Sequence, residues 1–78
     1  MDCKLFVGGI PSQCPDAYLR RKITEEVGPV VNLQIVRDWE GKSKKYGFVE
    51  MQDREDAAWL LSVGQVKLVG GILDIRPF

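Results

Sequence analysis

Histidine is missing from this 78-residue sequence, and with only two cysteines, Cys3 and Cys14, no plausible zinc or haem set can be assembled. Two thiols on either side of the first strand are too few for a disulfide framework and too far apart for a copper-carrying loop. They are expected to be free, one packed and one near a helix start. Without histidine, a nucleophile with an evident base, or a clustered carboxylate pair, the chain lacks the means of catalysis, and no cofactor is called for. No apolar run is long enough to span a bilayer and no signal-peptide pattern stands at Met1, so the expectation is a soluble protein without membrane attachment, in a reducing nuclear and/or cytoplasmic compartment. Net charge is absent as well: 11 basic residues balance 11 acidic ones. That removes the whole-domain basicity that marks strong nonspecific nucleic-acid binding. The length allows one domain, 1–78, with one modest core.

The charges that are present are sorted along the chain. From Arg37 to Lys45 there are four basic residues (Arg37, Lys42, Lys44, Lys45) against Asp38 and Glu40, a local excess of two positive charges. From Glu50 to Asp56, four acidic residues face Arg54 alone, an excess of three negative charges. A local basic surface therefore survives the overall balance.

Hydrophobic spacing predicts the order of elements. "CKLFVGGI" alternates and stops at Gly8, Gly9 and Pro11, as a short strand does. Leu19, Ile23 and Val27 lie four apart on one face of a helix that has Pro15 at its first position and ends at Gly28-Pro29. "VVNLQIVRD" alternates again, with Leu33, Ile35 and either Val31 or Val30 inward, and the polar loop "WEGKSKK" leads into "YGFVEM". Asp53 suits the N-cap of a second helix, "REDAAWLLSV", and "VKLVGGILDIRP" supplies a short hairpin around Gly70-Gly71 and a last strand. Strand, helix, strand, strand, helix, strand is the ferredoxin-like α+β arrangement, a βαββαβ sandwich with a four-stranded antiparallel sheet and two helices on one face.

A sheet covered on one face leaves every second residue of each strand on the other. Alternation puts Lys4, Phe6 and Gly8 of the first strand there, with Tyr46, Phe48 and Glu50 of the third, Asn32, Gln34 and Val36 of the second, and Ile72, Asp74 and Arg76 of the last. Three rings on an open face favour association. Either a partner domain or further chain covers them, or they form a platform on which unpaired bases stack while nearby cations meet phosphates.

"LFVGGI", Leu5 to Ile10, resembles the hexamer of the RNA recognition motif family, and "KKYGFVEM", Lys44 to Met51, resembles its octamer. The likeness covers essentially the whole chain, and the "FVGG" form is similar to that of the heterogeneous nuclear ribonucleoprotein A/B and Musashi-like groups. It implies that Phe6 and Phe48 each stack a base, that Tyr46 lies against sugars, and that Lys44 meets a phosphate. Two octamer positions depart from the family: Lys45 stands where glycine is usual, adding charge, and Met51 replaces the last aromatic but faces the core.

Rings alone accept any base, so preference must come from the polar groups around them. Asn32, Gln34, Glu50, Asp74 and Arg76 are the expected base-edge readers, and Lys4, Arg37, Lys44 and Lys45 the expected cations. Each polar residue has the plain alternative of being solvated on an open sheet. Trp39 either stacks on RNA as the loop folds over or anchors the loop. Phe78 either extends the platform or is the stump of a following segment. Trp59 belongs at the edge or outside of the second helix, as a protein contact or as cover for its own helix. The expected partner is single-stranded RNA, with single-stranded DNA as an in vitro substitute; tight function would need a second RNA-binding domain or an oligomer on the same RNA, and a protein partner is a separate expectation. The rival expectation is a protein-binding variant of the same fold that uses the helix face around Trp59. The Arg-x-Phe loop of variants that grip tryptophan-bearing peptides is not found in "QVKLVGG".

Overall fold

A computed structural model describes residues 3–78; Met1 and Asp2, with the expectations about a leader pattern and the start of the domain, lie outside them. The elements are β1 (Lys4–Gly8), α1 (Asp16–Glu26), β2 (Val30–Arg37), β3 (Ser43–Met51), α2 (Arg54–Val63), β4 (Gln65–Leu68) and β5 (Gly71–Pro77). The strands form one antiparallel sheet in the order β2-β3-β1-β5-β4. The two strand-helix-strand halves interleave, which is the expected ferredoxin-like sandwich.

The sheet has five strands and not four. Both arms of the Gly70-Gly71 hairpin join it, because Gln65, Val66, Lys67 and Leu68 pair in register with Asp74, Leu73, Ile72 and Gly71. Val66 is buried against the core from this short edge strand.

One apolar cluster holds the layers together. Leu5 and Val7 of β1, Val49 and Met51 of β3, and Leu73 and Ile75 of β5 meet Leu19 and Ile23 of α1 and Ala57 and Leu60 of α2. Each fully buried aliphatic side chain among them contributes about 1.5–3 kcal/mol of transfer free energy. Val27 and Leu61 pack at the margin, half-buried. No polar or charged side chain is buried among the described residues.

Local details correct or sharpen the sequence reading at three places. Pro15 is the N-cap of α1 and not its first helical residue; its carbonyl accepts the first turn's bond from the Leu19 amide at 3.2 Å. Asp53 does cap α2 by position, but its carboxylate makes no cap hydrogen bond, leaving Glu55 and Asp56 in the first turn to face the helix's positive end. In β2 a bulge settles which valine faces inward: Val30 pairs with Met51 and Asn32 with Glu50, so Val31 is left over and exposed while Val30 is buried.

Gly47 is demanded by close approach. A Cβ there would collide with the Gln34 carbonyl oxygen and lie 2.9 Å from the Ile35 Cα, so only glycine lets β2 and β3 pair at this point.

Candidate nucleic-acid interface

Register converts the two motifs into a surface. Phe6 stands directly opposite Phe48 across β1 and β3, with Gln34 beyond Phe48 on β2 and Arg76 beyond Phe6 on β5. Two residues along, Asn32, Glu50 and Lys4 form a second row. On the other side, Tyr46, Gly8 and Asp74 form a third, which β4 extends with Gln65. Rows two residues apart are separated by about 7 Å and strands by about 4.8 Å, so the rings occupy an area that suits two or three flat bases.

The rings are half-buried and oriented by their neighbours. Phe6 leans along β1 over Gly8, where a Cβ would sit 3.1 Å from the ring. There it meets Tyr46 in a stacked pair, centroids 5.7 Å apart and planes 26° from parallel. Phe48 is met edge-on by Phe78, at 5.0 Å and 80°. The Lys4 ammonium lies 5.6 Å from the Phe48 centroid and 4.5 Å from that of Phe78, so a cation borders the rings at this end. Phe78 thus extends the aromatic surface in the structure.

The polar residues divide into free and committed groups. Asn32, Gln34 and Glu50 make no side-chain hydrogen bond or ion pair to other described residues, and their donors and acceptors stay open beside the rings. Asp74 and Arg76 are bound to each other, Nε to Oδ2 at 2.8 Å, so a base must share or displace that pair. Arg37 is bound to Asp16 at the start of α1, 2.8 Å from Nη2 to Oδ1, and also donates to the Gly41 carbonyl. It ties the β2–β3 hairpin to the helix layer, while Lys42, Lys44 and Lys45 of that hairpin make no ion pair with other described residues.

Trp39 does not anchor its loop: it is 92% exposed. The loop is organised instead by Asp38, whose Oδ1 accepts the Glu40 and Lys42 amides at 2.9 Å and whose backbone bonds Gly41 and Lys42. This Asx turn holds the indole out in solvent.

Lys45 shows how the chain meets the family's glycine position. It keeps a left-handed backbone, φ 67°, the one positive value outside glycine among the described residues. β3 spends three residues there, Lys44 to Tyr46, where β2 spends one, Val36. The Lys45 carbonyl accepts the Ile10 amide at 3.0 Å and its own amide donates to Ser43 Oγ at 3.0 Å.

Cys3 and Cys14 are free thiols, half-buried and buried. Burial, seconded by the Asp16 carboxylate, pushes the Cys14 thiol above its usual range against the opposing pull of Arg37.

Residues missed by sequence reasoning are Asp38, Asp16, Gln65 and Lys67. The last two share a face with Asp74 and Ile72, and the alternation of "QVKL" around Val66 was the signal for them.

The fold and this double-motif surface define a single-stranded-nucleic-acid type of platform on a ferredoxin-like sandwich, and comparison supports the class. The model of the RNA recognition motif family matches residues 5–65, and the chain belongs to that family. Human cleavage stimulation factor subunit 2 is 50% identical over 54 residues, 68% of this chain and 9% of that protein. Mouse RNA-binding protein 24 is 46% identical over 55 residues, 69% of this chain and 23% of its own length. The chain therefore spans a small part of the relatives it matches. Among solved structures, one of the Rna15 RNA recognition motif is 26% identical with TM-score 0.83, covering 99% of this chain and 90% of that one. Another, the same domain with bound RNA (GU), is 26% identical with TM-score 0.82, covering 100% and 84%.

Proposed function

We propose that this domain binds single-stranded RNA, stacking one base on Phe6 and one on Phe48, with Tyr46 against the intervening sugar. The observation that carries the reading is the register: Phe6 and Phe48 are direct cross-strand partners on the face that carries no helix, with Tyr46 stacked on Phe6. Family membership and the likeness to a domain solved with bound RNA support it. Lys4, Lys44, Lys45 and Lys42 meet phosphates, Asn32, Gln34 and Glu50 read base edges, and the Asp74–Arg76 pair opens to do so. Trp39 and Phe78 supply further aromatic surface.

The domain works as one non-catalytic unit, residues 1–78, inside a longer RNA-processing protein, nuclear or cytoplasmic; the names and greater lengths of the relatives support this setting. For placement within the family, the "FVGG" form speaks for the A/B and Musashi-like groups, whereas overall identity speaks for the cleavage-factor and RNA-binding-protein relatives, and the longer match carries more weight.

Two stacked bases and a sugar contact supply about 3–7 kcal/mol before ordering costs. Micromolar affinity needs about 8.2 kcal/mol, so the isolated domain binds at micromolar strength or weaker. With about three phosphate contacts, log affinity falls against log salt with a slope near −2, from about −0.7 per contact. Amide NMR titration with pools of short single-stranded RNAs tests the reading. Shifts centred on Phe6, Tyr46 and Phe48 that fade with salt are expected; a silent sheet in a folded domain would refute it. The second reading, a protein partner on the helix face, is favoured by the exposed indole of Trp59.

A further inference from the structure

The helix side carries a feature that RNA binding does not use. Trp59 stands on α2 with 52% of its surface exposed. Beside it a cavity of about 250 Å³ opens between the helices, lined by Glu26 at the end of α1, by its C-cap Val27, and by Asp56 and Trp59 of α2. We propose that this groove docks an arginine-bearing segment of a protein partner, its guanidinium lying on the indole face and held by the carboxylates of Glu26 and Asp56.

Three features point to a cation. First, α1 ends in Glu25 and Glu26 with no basic residue in its last turn. Carboxylates at the negative end of a helix dipole work against the helix, so their placement is a local cost that a bound cation reverses. Lys22 meets Glu26 at 3.2 Å, but both side chains are solvent-exposed enough to be shared. Second, Asp56 is seated into the groove by Gly28: a Cβ on Gly28 would collide with the Asp56 carboxylate. Asp56 has no ion-pair partner among the described residues. Third, the two charged residues that line the groove, Glu26 and Asp56, are both acidic, and Asp53, Arg54 and Glu55 line an adjoining opening of about 490 Å³ that shares Asp56. That field repels nucleic acid and is complementary to a basic peptide.

Arginine fits better than lysine. A guanidinium stacks on an indole and donates two parallel bonds to a carboxylate, whereas an ammonium does one or the other as a point charge.

The test uses a Trp39→Phe background, which leaves Trp59 as the sole indole and alters a residue that is 92% exposed. The probe is a Gly-Arg repeat octapeptide at low salt, with a Gly-Lys octapeptide in parallel. The expected result is a saturable change in Trp59 emission that is several-fold weaker for the lysine peptide. Asp56→Asn should weaken it about two- to fivefold. Trp59→Ala, read by amide shifts at residues 26–28 and 53–59, should weaken it about two- to thirtyfold. If Trp59→Ala does not fold, the isosteric Asp56→Asn carries the test. No saturable change, equal response to both peptides, indifference to Asp56→Asn, or sedimentation showing that a second copy of the chain fills the groove would each overturn the proposal. Phe48→Ala should leave the peptide response intact while RNA binding falls, so failure on one face is distinguishable from failure on the other.

Discussion

Replacing Lys45 with glycine should move stability and RNA affinity in opposite directions. Lys45 holds φ at 67°, where a side chain with a Cβ costs about 1–2 kcal/mol relative to glycine. Glycine returns about 0.5–1 kcal/mol of that through its greater freedom in the unfolded chain. Lys45→Gly should therefore stabilise the fold by up to about 1.5 kcal/mol, and at about 4–8 °C per kcal/mol for a domain of this size the melting temperature should rise by up to about 12 °C. The two hydrogen bonds that frame the residue use its backbone amide and carbonyl, so both survive the change. The same substitution removes a cation next to Tyr46 in the chain. RNA affinity should drop, and the salt slope should become shallower by about 0.7, the contribution of one phosphate contact. Differential scanning calorimetry and fluorescence anisotropy at four salt concentrations measure the two effects. Lys45→Asn separates them, because asparagine tolerates the left-handed region and carries no charge. A lower melting temperature for Lys45→Gly would refute the strain argument, and an unchanged salt slope would refute the phosphate contact.

Three further outcomes follow from the same geometry. Phe6→Ala and Phe48→Ala should each weaken RNA binding by about 1–3 kcal/mol, roughly five- to 150-fold by isothermal titration calorimetry, with the domain still folded by circular dichroism. Gly47→Ala should destabilise by about 1–3 kcal/mol in urea unfolding, since its Cβ overlaps the Gln34 carbonyl and β2 must move. Cys14 holds its proton to higher pH when folded than when unfolded, so the folded state binds more protons once pH passes the ordinary thiol range near about 8.5. Stability should be flat in this respect below that pH and fall above it, up to the raised folded value, and Cys14→Ala should lose that alkaline fall while keeping the rest of the profile in urea melts at pH 7 to 10.

The platform was legible because it depends on alternation alone. Once Leu5 and Val7 are core residues, Phe6 must face the other way, and the same holds for Phe48 between Gly47 and Val49. What was not legible depends on contacts between distant segments. Arg37 reads as a hairpin cation, and only the approach of α1 to the end of β2 shows that Asp16 holds it. The choice between Val30 and Val31 turns on a bulge, which shifts pairing without leaving a mark in the hydrophobic pattern. β4 was absorbed into its hairpin because four residues, two of them polar, give too short an alternation to stand as a strand without its partner. Trp39 reads rather as an anchor, and only the structure shows Asp38 supplying the bonds that shape the loop.

The order of strands also separates two properties that evolution can adjust independently. The rings sit on β1 and β3, each hydrogen-bonded to neighbours on both sides, whereas Asn32, Gln34 and Gln65 sit on the outermost strands β2 and β4, each with one free edge. A substitution at the margin disturbs one ladder at most and leaves the stacking surface standing. On the proposed RNA-binding reading, duplicated copies of such a domain can change Asn32, Gln34 and Gln65 at their rims while the rings at the middle keep both of their ladders.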